Sequence, residues 1–175
     1  IYKVKALLLT VGTVQVINIV GNLARFFISK PFGRFSDRTS YAHGMELALC
    51  IAALGFFLNM FSQPSAKVFV VLFTILYAVS SAGTNQNSLN IVYSYVPLDY
   101  FVPACAIKNS IGGVCGFLSS LLGARILSAV QANGNVVFGI PMYGQQLLSA
   151  LSFVVLLAAV LYVRLVIEKQ AVMRQ

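Results

Sequence analysis

Five long apolar runs, separated by short polar breaks, limit what this chain can fold into more than any other feature. They cover about 4–29, 45–61, 68–95, 104–130 and 145–167. A helix needs roughly 20 apolar residues to cross a bilayer, with a usual range of about 17–25. The second run sits at the short end of that range, and the third and fourth are long enough to tilt or project beyond it. Only 9% of the 175 residues are charged, against roughly 25% in a soluble domain, so a water-facing surface of the usual kind cannot be built. The predicted fold class is all-α: a polytopic transmembrane helical bundle, in one transmembrane domain over 1–175. Pro31, Pro64, Pro97, Pro103 and Pro141 are all assigned to the breaks, because proline lacks a backbone donor and interrupts helices. Pro103 suits the first turn of the fourth helix, and Asn133-Gly134-Asn135 marks a turn in the longest break.

The charges narrow the function classes. The net charge is +8, which by itself would admit nucleic acid as a partner. The bases form no patch interleaved with aromatics; they stand at the ends of the apolar runs, where they meet anionic lipid and set topology. With alternating faces, Arg25, Lys30, Arg34, Arg38, Lys108, Arg164, Lys169 and Arg174 fall on one side, and Lys3, Lys5, Lys67 and Arg125 on the other. Eight against four places the first side, with the C-terminus, in the cytoplasm. Cys50, Cys105 and Cys115 lie in or beside apolar runs with no paired spacing, and His43 has no ligand partners, so neither a disulfide frame nor a metal site is expected. Asp37, Glu46, Asp99 and Glu168 are the only acids and none sits at mid-membrane. No nucleophile or acid–base pair occurs at depth, so neither enzyme activity nor a cofactor is expected. The chain opens at Ile1 instead of Met and shows no signal peptide, so a cut piece of a longer protein is expected.

Polar residues inside the runs are the candidate site. The first helix carries Gln15, Asn18, Asn22 and Arg25 at spacings of three, four and three, which put them on one face. Polar groups against lipid are costly, so this stripe must meet another helix, as bundle glue, or a water-filled cavity. The third helix carries Ser80, Gly83, Asn87 and Asn90 on one face, with Asn85 and Gln86 adjacent. Intramembrane polar residues default to a functional role, so Ser80, Gly83, Gln86, Asn87 and Asn90, with Gln15, Asn18 and Asn22, are the candidate substrate-binding or cavity residues. The fourth helix has small residues every fourth position, Gly112, Gly116 and Ser120, which suit close helix packing. Lys108, at its start, is expected to meet lipid phosphate. The second and fifth helices carry almost nothing polar and are expected to face lipid.

Between the first two runs stands Gly33-Arg34-Phe35-Ser36-Asp37-Arg38, read as a polar loop over 30–44. It resembles the G-x-x-x-D-R/K-x-G-R/K-R/K signature of the major facilitator superfamily. Gly33, Asp37 and Arg38 are in register; Ser40 stands where the second Gly would be, and Tyr41 and Ala42 replace the basic pair. The resemblance implies that the five helices are helices eight to twelve of a transporter with alternating access, lacking the N-terminal half of the same chain. It implies secondary transport of a small organic solute across the plasma membrane, with Gly33, Asp37 and Arg38 as a cytoplasmic gate. It also implies a cavity role for the third helix, a contact with the other half for the fourth, and lipid-facing positions for the second and fifth. Helices two to six of an N-terminal half remain an alternative placement. A non-transporting membrane scaffold or assembly subunit is the alternative function.

Overall fold

The computed structural model describes residues 10–63, 66–137 and 140–167. Five helices long and apolar enough to cross a membrane make up nearly all of it: α1 (Val11–Arg38), α2 (Tyr41–Asn59), α3 (Val68–Tyr95), α4 (Leu98–Ala132) and α5 (Gly144–Tyr162, continued by a π turn over Val163–Ile167). The protein is an all-α, multi-pass integral membrane bundle. A two-residue antiparallel pair, β1 (Val136–Val137) and β2 (Ile140–Pro141), links α4 to α5. The turn before it has Gly134 at φ 67° and Asn135 at φ 59°, the left-handed region that glycine and asparagine tolerate. Lys3, Lys5, Lys169 and Arg174, Glu168 and Pro64 lie outside the described residues.

Helix boundaries correct the sequence reading in two places. Instead of ending at 29, α1 continues through Pro31 to Arg38, so the signature-like segment is its last turns and not a loop. The break is only Thr39 and Ser40: Thr39 N–H donates to the Phe35 carbonyl, and Ser40 Oγ caps α2 by accepting from His43 N–H at 3.2 Å. His43 is therefore helical, in contact with Glu46 at 3.4 Å. Likewise α4 starts at Leu98, six residues before the expected 104, with Pro97 at its N-cap and Pro103 inside.

Packing reverses the expected role of the second helix. α2 lies along α3 on one side and α5 on the other, while α1 packs mainly on α3. Its buried residues are Ala42, Gly44, Ala48, Ala52, Ala53, Gly55 and Asn59. Small residues recurring every third or fourth position let neighbouring backbones approach closely, which is what drives association when lipid is as apolar as the helices. A Cβ on Gly55 would lie 3.3 Å from Leu76 Cβ, and Phe56 meets Phe73 edge-on with centroids 5.0 Å apart. Gly21 plays the same part between α1 and α3, where an added Cβ would stand 3.3 Å from Thr74 Cγ2. α2 is therefore the hub of the bundle and not a lipid-facing strut.

The fifth helix divides. Its first turns, through Gly144, Gln146 and Ser149, are buried, whereas Val154, Val155 and Leu161 are exposed, as expected for a lipid-facing surface. α4 touches its neighbours least; of its residues only Val130 is buried.

Overpacking tests the hub. Ala48 is 0% exposed, so Ala48→Leu in the full-length protein should destabilise by about 1–3 kcal/mol, read as a lower thermal midpoint in detergent. Leu161→Ala, at a position 57% exposed, should change stability by less than about 0.5 kcal/mol.

Candidate functional site

Two features picked out separately in the sequence meet in space. The inner face of α1 is Ile17, Gly21, Phe32, Gly33 and Ser36. The inner face of α3 at the same level is Ser80, Ala82, Gly83 and Asn87. Gly83 leaves room for the Phe32 ring: a Cβ there would stand 2.6 Å from Phe32 Cε1 and 2.9 Å from Ala48 Cβ. Gly33 leaves room for Gln86, whose Nε2 would be 2.5 Å from an added Cβ. Gly44 of α2 closes the junction. An added Cβ there would collide with Ser36 Oγ and lie 2.8 Å from Asn87 Nδ2 and 3.0 Å from Asn87 Oδ1. The last turns of α1 are thus seated on the amide-bearing segment of α3 by three glycines, one from each helix.

The polar chemistry of this junction is incomplete. Asn87 is 0% exposed and its Nδ2 donates to the Gly83 carbonyl one turn back, at 3.0 Å. Its Oδ1 and Ser36 Oγ, 2% exposed as a residue, are buried without a hydrogen-bond partner. Two orphan atoms that both abut Gly44 leave the junction short of its best energy, since an unpaired buried polar group costs about 1–3 kcal/mol. Asn87 and Ser80 are both buried between the helices. Gln86 and Asn90 are half-buried at the rim, and the Asn90 carbonyl accepts from Ser94 Oγ at 2.9 Å.

The other sequence-picked residues lie elsewhere. Gln15, Asn18, Asn22 and Arg25 are exposed along the face of α1 turned away from α3. Among the described residues, none of these side chains has a hydrogen-bond or ion-pair partner. Gly33 is buried; Asp37 and Arg38 are exposed on the last turn of α1 and form no ion pair with a described residue. Gly112, Gly116 and Ser120 are exposed, and nothing lies within 4 Å of a Cβ built on either glycine. Lys108 donates to Ser88 Oγ of α3 at 3.1 Å.

A second polar group, at the opposite end of the bundle, was missed by the sequence reading. Asn59 Nδ2 donates to Ser149 Oγ at 2.7 Å, Ser149 Oγ donates to the Gln145 carbonyl at 2.8 Å, and Gln146 Nε2 donates to the Ser62 carbonyl at 3.0 Å. Gln146 Oε1 also accepts from Tyr143 N–H at 3.0 Å. Gln146 and Ser149, three apart at a helix start, were the available signal. This clasp is satisfied and ties α5 to α2. No group of His, Cys, Asp and Glu able to hold a metal occurs among the described residues.

No protein-family profile, curated protein or solved structure matches the chain.

The junction yields a stability prediction. Gly44→Ala should destabilise the full-length protein by about 1–3 kcal/mol. Adding Ser36→Ala, which removes the atom nearest the new methyl, should recover at least about 0.5 kcal/mol as coupling in a double-mutant cycle. Additive effects would place the strain elsewhere.

Proposed function

We propose that this chain belongs to a secondary transporter of the major facilitator type, moving a small organic solute across the plasma membrane by alternating access. The observation that supports it best is the stripe of Gln15, Asn18, Asn22 and Arg25 on α1. It runs along the outer face of a helix long and apolar enough to cross a membrane, and no described residue covers it. Lipid cannot satisfy amides or a guanidinium, so the stripe must border water, solute or a further helix. The packed, glycine-rich seat under Gly33 and Ser36 supports the gate reading of the signature-like segment, because it fixes the turn from which Asp37 and Arg38 project. The N-terminal half of the same chain would then face that stripe and the open face of α4, with membrane lipid around the rest. In this reading two halves rock about a central site, and solute drives the switch by binding the two states unequally.

The second reading is a non-transporting scaffold or assembly subunit. The observation favouring it is the open space over Gly112, Gly113 and Gly116, a surface that suits close approach by another helix. Solute flux into liposomes containing the full-length protein separates the two. Under transport, Asn18→Leu and Asn22→Leu should each raise the apparent KM about two- to tenfold, from the loss of a bond worth about 0.5–1.5 kcal/mol, with expression unchanged. A scaffold would show no flux in either form.

The charge bias supports a cytoplasmic C-terminus. In a variant lacking Cys50, Cys105 and Cys115, a cysteine at exposed Gly134 should label in whole cells with a membrane-impermeant reagent, and one at exposed Thr39 should label only after permeabilisation. The reverse pattern would invert the topology.

A further inference from the structure

The outer side of the last turns of α1 carries a feature that the packing does not use and of which the transport reading uses Arg38 alone. Lys30, Arg34 and Arg38 recur every fourth residue, so they share a face. With Pro31 and Phe35 they line an open groove of about 420 Å³. None of the three cations has a hydrogen-bond or ion-pair partner among the described residues, and the neighbouring carboxylate of Asp37 pairs with none of them. A free cation at the end of a helix is stabilised by the helix dipole, but that effect is confined to the last turn, and Lys30 lies two turns before Arg38.

Depth in the membrane selects the occupant. α1 has 28 residues, which at about 1.5 Å each span roughly 42 Å. The hydrocarbon core is about 30 Å thick, so one end must project into the headgroup layer. Between Val11 and Ser29 the only charged residue is Arg25, whereas Lys30, Arg34, Asp37 and Arg38 fall in the final nine. The groove therefore lies at headgroup depth, with Phe35 and Pro31 on its floor as an apolar contact for the glycerol and upper acyl chain. Guanidinium groups bind phosphate oxygens bidentately, and basic pockets at this level are where anionic headgroups bind.

We propose that Lys30, Arg34 and Arg38 form a binding site for the phosphate of one anionic phospholipid. The site requires only the membrane-spanning helix, not transport, so it stands or falls apart from the proposed function.

The test is native mass spectrometry of the detergent-purified full-length protein with added phosphatidylglycerol or chain-matched phosphatidylcholine. One phosphatidylglycerol should be retained in preference to phosphatidylcholine. Arg34→Gln should weaken retention about fivefold and the combined Lys30→Gln, Arg34→Gln, Arg38→Gln variant about a hundredfold. Arg34→Lys, which keeps the charge but not the bidentate fork, should retain more than Arg34→Gln, and Arg125→Gln on α4 should change nothing. All three side chains are exposed and without partners, so the variants should fold; an unchanged thermal midpoint checks this, and if the triple variant does not fold the single ones decide. Equal retention by Arg34→Gln and the unaltered protein, equal binding of phosphatidylcholine, or displacement by excess inorganic phosphate would each overturn the proposal. The last would mean that a soluble anion, not a lipid, is the ligand.

Discussion

Close approach of α2 to its neighbours is the interaction on which the bundle rests. Between helices in lipid there is no hydrophobic driving force to speak of, because a neighbouring side chain and an acyl chain are equally apolar. What remains is contact density, and dispersion falls away steeply once surfaces separate by even a fraction of an ångström. Gly44, Ala48, Ala52 and Gly55 are small enough to let α2 sit against α3 along its length, with α5 on its other flank. Gly83 of α3 and Gly33 of α1 extend the same logic to a third helix. Larger residues at these places would push the helices apart, and the polar groups now enclosed beside them would have to be paired or exposed.

Small residues are also why the role of α2 was not legible in the sequence. A run with almost nothing polar looks like a lipid-facing helix, since polarity is the visible sign of an interior face in a membrane protein. In α2 the interior face is marked by size instead: Gly44, Ala48 and Ala52 stand four apart while Leu47 and Leu54 are exposed. The same spacing occurs in α4, at Gly112, Gly116 and Ser120, where the structure leaves it uncovered. Spacing of small residues thus identifies a surface capable of tight packing without saying which helix packs on it. The five apolar runs, by contrast, were legible as helices because length and hydropathy are set by the bilayer itself.

The boundaries misread at Pro31 and Pro103 have a common cause. Proline within a helix removes one N–H, so the carbonyl four residues earlier loses its donor. That loss is severe in hydrocarbon, where nothing replaces the bond, and mild where water or headgroups can reach the carbonyl. Pro31 denies the carbonyl of Phe27 its usual donor, and Pro103 that of Asp99. Each proline lies near an end of its apolar run, Pro31 directly after Lys30 and Pro103 four residues after Asp99. The helix can therefore continue through both, and the segment that composition marked as a loop becomes extra helical turns above the membrane core.

Those extra turns give α1 two working faces at one level. Gly33 and Ser36 turn inward to Gln86, Gly44 and Asn87, while Lys30, Arg34 and Arg38 turn outward to the groove. A loop would allow the two sets to move independently. In a helix they are rigidly related, since residues one apart differ by a fixed rotation and a rise of about 1.5 Å. Any tilt of these turns at the Gly44 junction must also move the cations relative to the membrane surface. The junction is suited to such a movement because it is not fully satisfied: Ser36 Oγ and Asn87 Oδ1 lack partners where they now stand. A small shift that paired them would stabilise the inner face, and an anionic group on the outer face would favour one position only by binding the two unequally. The coupling follows from continuous helix through Pro31, and would vanish if that segment unwound.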